Sequence, residues 1–458
     1  MLRPEIVTGE EDRAAADDPR AGGRDSRVRY RVLGAACALA VVAYLHRVGF
    51  GTAAPSLRAS TGLSDRDVSY LMAAFMLAYG VVEIPVGLLV DRLGVRHVLT
   101  VIALGWSLTT GAVAVVLLLP AGTVWPFAYL LALRVLFGLF QGGLFPSLSR
   151  MLADWMPAGE RGLAQGCLWT SSRLGGAVAP LAVGRLFRDV GISPTAFWLL
   201  ASAGFVWCAA FWPWFRNTPE TMPGVNTVER WQIASGRPAI QAAPHAGVPW
   251  GRMLGSRSVW CLCLTYGTIG LSGNFFLTLL PTYLRSHRRF TPDTSNWIAS
   301  VPLACGVVGC VLGGYLSDRI IRRSGHRRWG RRLVGSFGLA VAASALLATV
   351  WVRDPVWLAA LFGLTFFGND LAMGPAWASC ADIGERLAGT LGGAMNMSAA
   401  ITGALGALMI GWFLDHGQTV VMFVFLASVY ALGSVLWLGV DVTRTLAGPA
   451  DPQAPPGP

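Results

Sequence analysis

Long apolar runs, broken by short polar stretches rich in arginine, repeat along the whole of this 458-residue chain. A helix needs about 20 apolar residues to cross a bilayer. Twelve runs approach or exceed that length, near 32–54, 68–90, 97–119, 126–149, 162–187, 194–215, 258–284, 295–316, 333–352, 356–378, 388–413 and 419–440. They are too long for β-barrel spans and do not alternate. The pattern predicts an all-α membrane protein with twelve transmembrane helices. One connection alone is long, about residues 216–257, with Pro219, Pro223, Pro238, Pro244 and Pro249. It divides the chain into a polar N-terminal tail (1–30), a six-helix bundle (31–215), a linker (216–257) with a short helix around Val228–Ser235, a second six-helix bundle (258–441) and a C-terminal tail (442–458). The tail turns rich in Pro and Ala from Gly448, a composition expected to be disordered.

Composition agrees with a membrane protein. The chain is 54% hydrophobic and 13% charged, with a mean hydropathy of +0.53; a soluble protein carries about a quarter charged residues. All 36 basic side chains are arginine. The net charge of +11 does not mark a nucleic-acid binder, because the arginines lie in short loops between apolar runs. With the N-terminus in the cytoplasm, the inner segments hold 25 arginines and the outer loops 8. That bias predicts that both termini and the linker are cytoplasmic. Residues 1–30 contain no apolar run, so no cleavable signal peptide is expected and the first helix directs insertion into the membrane. The eight cysteines lie mostly inside apolar runs without a CxxC pair, as packed small hydrophobes do. No metal site or cofactor is expected. Gly142-Gly143 lies in an apolar helix rather than after a strand, so it is not a nucleotide loop. No enzyme signature is present.

Two segments resemble each other: Gly87-Leu-Leu-Val-Asp-Arg-Leu-Gly-Val-Arg96 and Gly314-Tyr-Leu-Ser-Asp-Arg-Ile-Ile-Arg-Arg323. Asp91 and Asp318 lie 227 positions apart, about half the chain. Internal repeats in apolar chains mark secondary transporters. The first segment resembles the signature loop of the major facilitator superfamily, the second its looser copy. Further stretches resemble the anion:cation symporter branch: Tyr44-Leu-His-Arg47, Arg134-Val-Leu-Phe-Gly-Leu-Phe-Gln-Gly-Gly-Leu-Phe-Pro146, Ala153–Arg161, Arg216–Asn226, Asn369–Trp377 and Gly392-Gly-Ala-Met-Asn396. The resemblance runs from about Arg31 to Asp441. It implies the major facilitator fold and secondary active transport of small organic anions, such as sugar acids, across a bacterial inner membrane. The expected partners are the anion, a proton or other coupling ion and the lipid bilayer, and the expected state is a monomer.

An arginine in the bilayer costs at least about 2.5 kcal/mol on insertion scales and usually faces the bundle interior. Arg47, Arg134 and Arg173 lie within the first, fourth and fifth runs. Their planar guanidiniums can fork around a carboxylate; the alternative for each is neutralisation by a structural acid or carbonyl. Tyr44, Tyr79 and Asn396 are polar groups that match or neighbour substrate-contact positions of the family, and Gln141 can hydrogen-bond a hydroxylated substrate. The branch often carries acids where this chain has His46 and Gln141. Three groups are therefore candidates for proton coupling: His46, Glu83 and Asp370. Asp91, Arg92 and Arg96 of the signature loop, with Asp318 and Arg319 of its copy, are implied to form a gate latch; the alternative is interfacial anchoring. Exchange, uncoupled facilitation and binding without transport remain the competing functions.

Overall fold

The computed structural model describes residues 25–234 and 248–446. Both tails beyond these limits, and the linker stretch 235–247, lie outside the described residues. Among the described residues the chain is helical throughout, with no strand. Ten helical runs are long and apolar enough to span a membrane. One of them, Pro355–Asp415, contains two crossings, and Arg161–Val190 adds another despite its arginines. The sum is twelve.

The N-terminal half consists of α1 (Val28–Thr61), α2 (Asp65–Leu93), α3 (Val95–Ala112, extended by a 3-10 turn), α4 (Val124–Gln141), α5 (Leu144–Trp155), α6 (Arg161–Val190) and α7 (Pro194–Trp214). Two short helices, α8 (Thr227–Ala234) and α9 (Trp250–Gly255), lie in the connection. The C-terminal half consists of α10 (Arg257–Asn274), α11 (Leu280–Ser286), α12 (Pro292–Ser324), α13 (Arg327–Ala348), α14 (Pro355–Leu371), α15 (Met373–Gly384), α16 (Ala388–Asp415) and α17 (Thr419–Trp437). Helix ends follow local chemistry. Ser64 and Asp67 form a reciprocal capping box at α2. Asp354 accepts from the Val356 and Trp357 amides at the start of α14, where Pro355 is pre-shaped for a first turn.

Three membrane helices are interrupted. The fourth breaks into α4 and α5 at Gly142-Gly143, and the tenth into α14 and α15 at Ala372. These breaks are separated by close to the repeat spacing, so the duplication extends to helix shape. The seventh passes from α10 through a π-turn at Phe275–Leu279 into α11. Outward faces are apolar, as lipid requires: Leu118, Leu181, Leu77 and Leu408 are each more than 70% exposed.

The halves meet along two seams, α2 against α16 and α6 against α12. A side chain on Gly87 would strike the Gly389 carbonyl, and one on Gly314 the Gly162 carbonyl. Small residues thus bring backbone against backbone in both copies. Both described chain ends lie at one end of the bundle: Arg29 reaches Glu160, and the Leu446 amide reaches the Ile383 carbonyl.

Candidate functional site

Arg134 is 3% exposed. Its guanidinium lies 4.4 Å from the ring centroid of Phe50, 4.6 Å from Phe75 and 5.2 Å from Phe137. Its Nη2 has only the Met72 sulfur at 3.7 Å, and its Nε has no partner. Among the described residues no carboxylate pairs with this charge. Arg47 is half-buried on α1, with its guanidinium 5.4, 5.2 and 4.7 Å from the rings of Tyr44, Phe75 and Tyr79. Both arginines flank Phe75, so the two distances to that ring bound their separation at 9.8 Å. Two cations thus share an aromatic enclosure in the N-terminal half. Cation–π contact partly offsets their desolvation but leaves the hydrogen-bonding capacity of Arg134 unspent.

Gln141 terminates α4 at its break. Its Oε1 accepts from Arg47 Nε at 2.8 Å, and its Nε2 donates to the Ala43 carbonyl at 2.9 Å. Both ends of the amide are occupied, so Gln141 orients Arg47 and offers little to a ligand. The Tyr44 ring packs against Gly176 of α6, with its Cβ next to Gly175, and among the described residues its hydroxyl makes no hydrogen bond.

His46 adjoins Arg47 in sequence but points elsewhere, since successive helical positions do not share a face. Its Nε2 lies 2.8 Å from the Leu200 carbonyl, and its Nδ1 is unpartnered. It lines, with Arg134, a small apolar cavity of about 20 Å³.

The C-terminal half contributes at the seams. Asn396 donates to the Tyr79 hydroxyl at 3.3 Å and to Glu83 Oε1. Glu83 is fully buried, and its Oε2 has no partner. Arg173 forks onto Asp370, with Nε to Oδ2 at 3.0 Å and Nη2 to Oδ1 at 2.9 Å. Asn369 also donates to Asp370, and Tyr430 to Asn369. In this state Arg173 is neutralised by an acid of the other half, the structural alternative weighed from sequence, and its fork is not free.

Below the site, Phe145 stacks on Trp169 at 4.4 Å, and Trp169 packs on Trp377, whose indole donates to the Tyr266 hydroxyl at 2.9 Å. This floor is built from both halves. Sequence reading missed it, along with Phe50 and Phe75. The spacing of Phe75 and Tyr79 on one helical face was an available signal.

The end bearing the termini is bolted across the halves. Asp91 accepts from the Gly389 amide at 3.0 Å, the Thr390 amide at 2.7 Å and the Thr390 hydroxyl at 2.6 Å. Asp318 accepts from the Gly162 amide at 3.1 Å and the Leu163 amide at 2.7 Å. Each repeated aspartate therefore caps a helix N-terminus of the opposite half, α16 or α6, where anions are favoured. Arg161 pairs with Asp382 across the halves at 2.7 Å, while Arg331 holds Asp318 at 2.7 Å and Asp382 at 3.2 Å within the C-terminal half and donates across to the Ala158 carbonyl at 3.1 Å.

The arginines next to the aspartates in sequence do not take part. Arg96 donates to the Trp212 carbonyl, Arg319 to the Tyr315 hydroxyl, and Arg92 is exposed. Adjacent residues on a helix diverge, so Arg150 at 3.8 Å is the cation near Asp91. These bonds between the bundles all fall between this end and the level of Tyr79–Asn396 and Arg173–Asp370.

Residues 36–407 match the family described as Major Facilitator Superfamily. The chain belongs to the major facilitator superfamily. This is a transporter family, so the chain is a multi-pass membrane transporter and not an enzyme. As a superfamily member it is 31% identical, over 92% of its length and 96% of the relative's, to a probable sulfoacetate transporter of Cupriavidus necator. It is 29% identical, over 86% and 88%, to a probable galactarate/D-glucarate transporter of Escherichia coli. Its fold matches that of the proton:xylose symporter XylE with a TM-score of 0.68, at 13% identity, over 93% of this chain and 99% of that one.

Proposed function

We propose that this major facilitator imports small organic dianions, sugar acids or related carboxylates, across the bacterial inner membrane by proton-coupled symport. The observation that carries the reading is Arg134: a buried guanidinium in an aromatic cage, without a carboxylate, within 9.8 Å of a second arginine. An unpaired buried charge is costly, and an incoming anion relieves that cost. Two guanidiniums at this separation suit a ligand with two anionic ends, and the substrates named for the two relatives are of that kind. Tyr44, with a free hydroxyl, and Asn396 are the groups that orient the hydroxylated backbone of a sugar acid.

The arginine bias puts both termini and the linker in the cytoplasm. The bolted end is then cytoplasmic, and the described state is outward-facing. Transport follows by rocking of the two bundles, with Arg173–Asp370, the two aspartate caps and Arg161–Asp382 broken in the inward-facing state. The protein works as a monomer, since the site lies between bundles of one chain.

For the proton carrier, geometry favours Glu83 over His46 and Asp370. Asp370 is held by Arg173, and His46 faces the Leu200 carbonyl within its own half. Glu83 lies at the moving seam with one oxygen unpartnered, linked through Tyr79 to Arg47. A proton on that oxygen removes the cost of an unpartnered buried charge. Substrate at Arg47 and a proton at Glu83 are thus in position to strengthen each other's binding, as symport requires.

The test is uptake of labelled galactarate and sulfoacetate into proteoliposomes under an imposed proton gradient. Accumulation above equilibrium is expected, and collapse of the gradient should abolish it. Arg134→Lys should weaken substrate binding at least about 100-fold, because ammonium lacks the fork that makes two charge-assisted bonds. If Arg134→Lys binds as the parent does, bidentate recognition is wrong. Uptake that only equilibrates would make the protein a facilitator or exchanger.

A further inference from the structure

A basic cavity lies at the termini end of the C-terminal half, apart from the gate and the substrate site. It holds about 210 Å³ and is lined by Arg257, Ser258, Arg328, Arg332, Asp441 and Arg444 among others. Four guanidiniums there face one carboxylate. Asp441 is shared, 3.6 Å from Arg328 and 3.9 Å from Arg444, and its Oδ1 also accepts from the amide and hydroxyl of Thr443. Arg332 is 5% exposed. Its Nε donates to the Val440 carbonyl at 2.5 Å, and among the described residues no carboxylate pairs with it. Arg257 makes no hydrogen bond or ion pair among the described residues.

Two long helices begin at this cavity, α10 at Arg257 and α13 at Arg327. A helix N-terminus carries partial positive charge and is ordinarily matched by an acid in the first turn. Neither helix has one. The arginines therefore add to the dipoles instead of opposing them, and the ensemble repels itself unless an anion is present.

The rim is apolar and aromatic. Trp260, one turn along α10 from Arg257, is 51% exposed, and Trp329, beside Arg328, is 47% exposed. Leu333 and Leu438 are exposed as well. The Trp329 ring lies 5.7 Å from the Arg332 guanidinium. Tryptophan next to arginine at the ends of membrane helices marks headgroup level.

We propose that this cavity binds the phosphate of an anionic phospholipid from the leaflet at the termini end. Basic pockets between membrane helices take such headgroups. The guanidiniums and the two helix N-termini hold the phosphate. The acyl chains lie along Trp260, Leu333 and Leu438, a contact that a soluble phosphate cannot make. Asp441 keeps Arg328 and Arg444 turned toward the cavity.

The experiment titrates the purified full-length protein with phosphatidylglycerol, with phosphatidylcholine and with inorganic phosphate, and reads bound lipid by native mass spectrometry. One phosphatidylglycerol per chain is expected to be retained, phosphatidylcholine not, and inorganic phosphate in large excess should fail to displace the lipid. Arg257→Gln with Arg328→Gln should weaken phosphatidylglycerol binding roughly 30-fold, each arginine near a lipid phosphate contributing about five-fold. Should that double variant not fold, Arg444→Gln, whose side chain is 85% exposed, is expected to lose about five-fold by itself. Equal retention of phosphatidylcholine, unchanged binding by the variants, or displacement by inorganic phosphate would overturn the proposal.

Discussion

In the proposed cycle, replacing Asp91 by asparagine removes a charge that bonds the two halves only in the state closed at the termini end. Its carboxylate accepts from two backbone amides and one hydroxyl at the start of α16, at 2.6–3.0 Å. A hydrogen bond to a charged group contributes about 1.5–3 kcal/mol. Asparagine keeps one acceptor oxygen but turns its NH2 toward donors. The expected loss is about 2 kcal/mol, roughly a 30-fold shift away from the state closed at this end. Asp318→Asn removes the equivalent cap on α6 and has the same expected size. The two caps share no partner, so their effects add, and the double variant shifts the equilibrium about 1000-fold.

The assay is pulsed electron–electron spin resonance between labels at Leu93→Cys and Ser324→Cys, on a background lacking the eight native cysteines. Both positions are exposed, at the same end and on different halves. The parent should give a short distance. The single variants should add a longer population, and in the double variant it should dominate. If the double variant, folded and inserted, keeps the parent's distribution, the aspartates are anchors and not a latch.

Glu83→Gln should abolish proton-driven accumulation and flatten the pH dependence of substrate affinity while leaving substrate exchange intact. His46→Gln should keep all three properties, and the reverse pattern would return the carrier role to His46. Gly314→Val drives a side chain into the Gly162 carbonyl and should open the termini end, lengthening the same spin-label distance; an unchanged distance would mean that the seam is not close-packed in the membrane. For orientation, Arg288→Cys should react with an impermeant thiol reagent added to intact cells, whereas Gln241→Cys, in a stretch outside the described residues, should not. Labelling of Gln241→Cys from outside would invert the topology.

The transmembrane elements follow from local sequence alone. In a bilayer each crossing must satisfy its own backbone, so length and apolarity of a local run suffice to find it, and Arg161–Val190 was legible despite its arginines. The duplication was legible in Asp91 and Asp318, and the unusual chemistry in Arg47 and Arg134, because a cation in an apolar run is costly wherever it ends up. Partnership was not legible. Arg173 with Asp370, Asn396 with Glu83, and Asp91 with the start of α16 join positions roughly 200 to 300 apart, and those contacts exist only once two bundles have packed. Local spacing pointed the wrong way at Asp91, whose chain neighbours Arg92 and Arg96 turn to other faces. It also left His46 beside Arg47 in sequence while helical geometry separates them in space. That Arg173 receives an acid, and Arg134 none among the described residues, is set by packing, because it depends on which carboxylate the opposing helix brings within hydrogen-bonding distance.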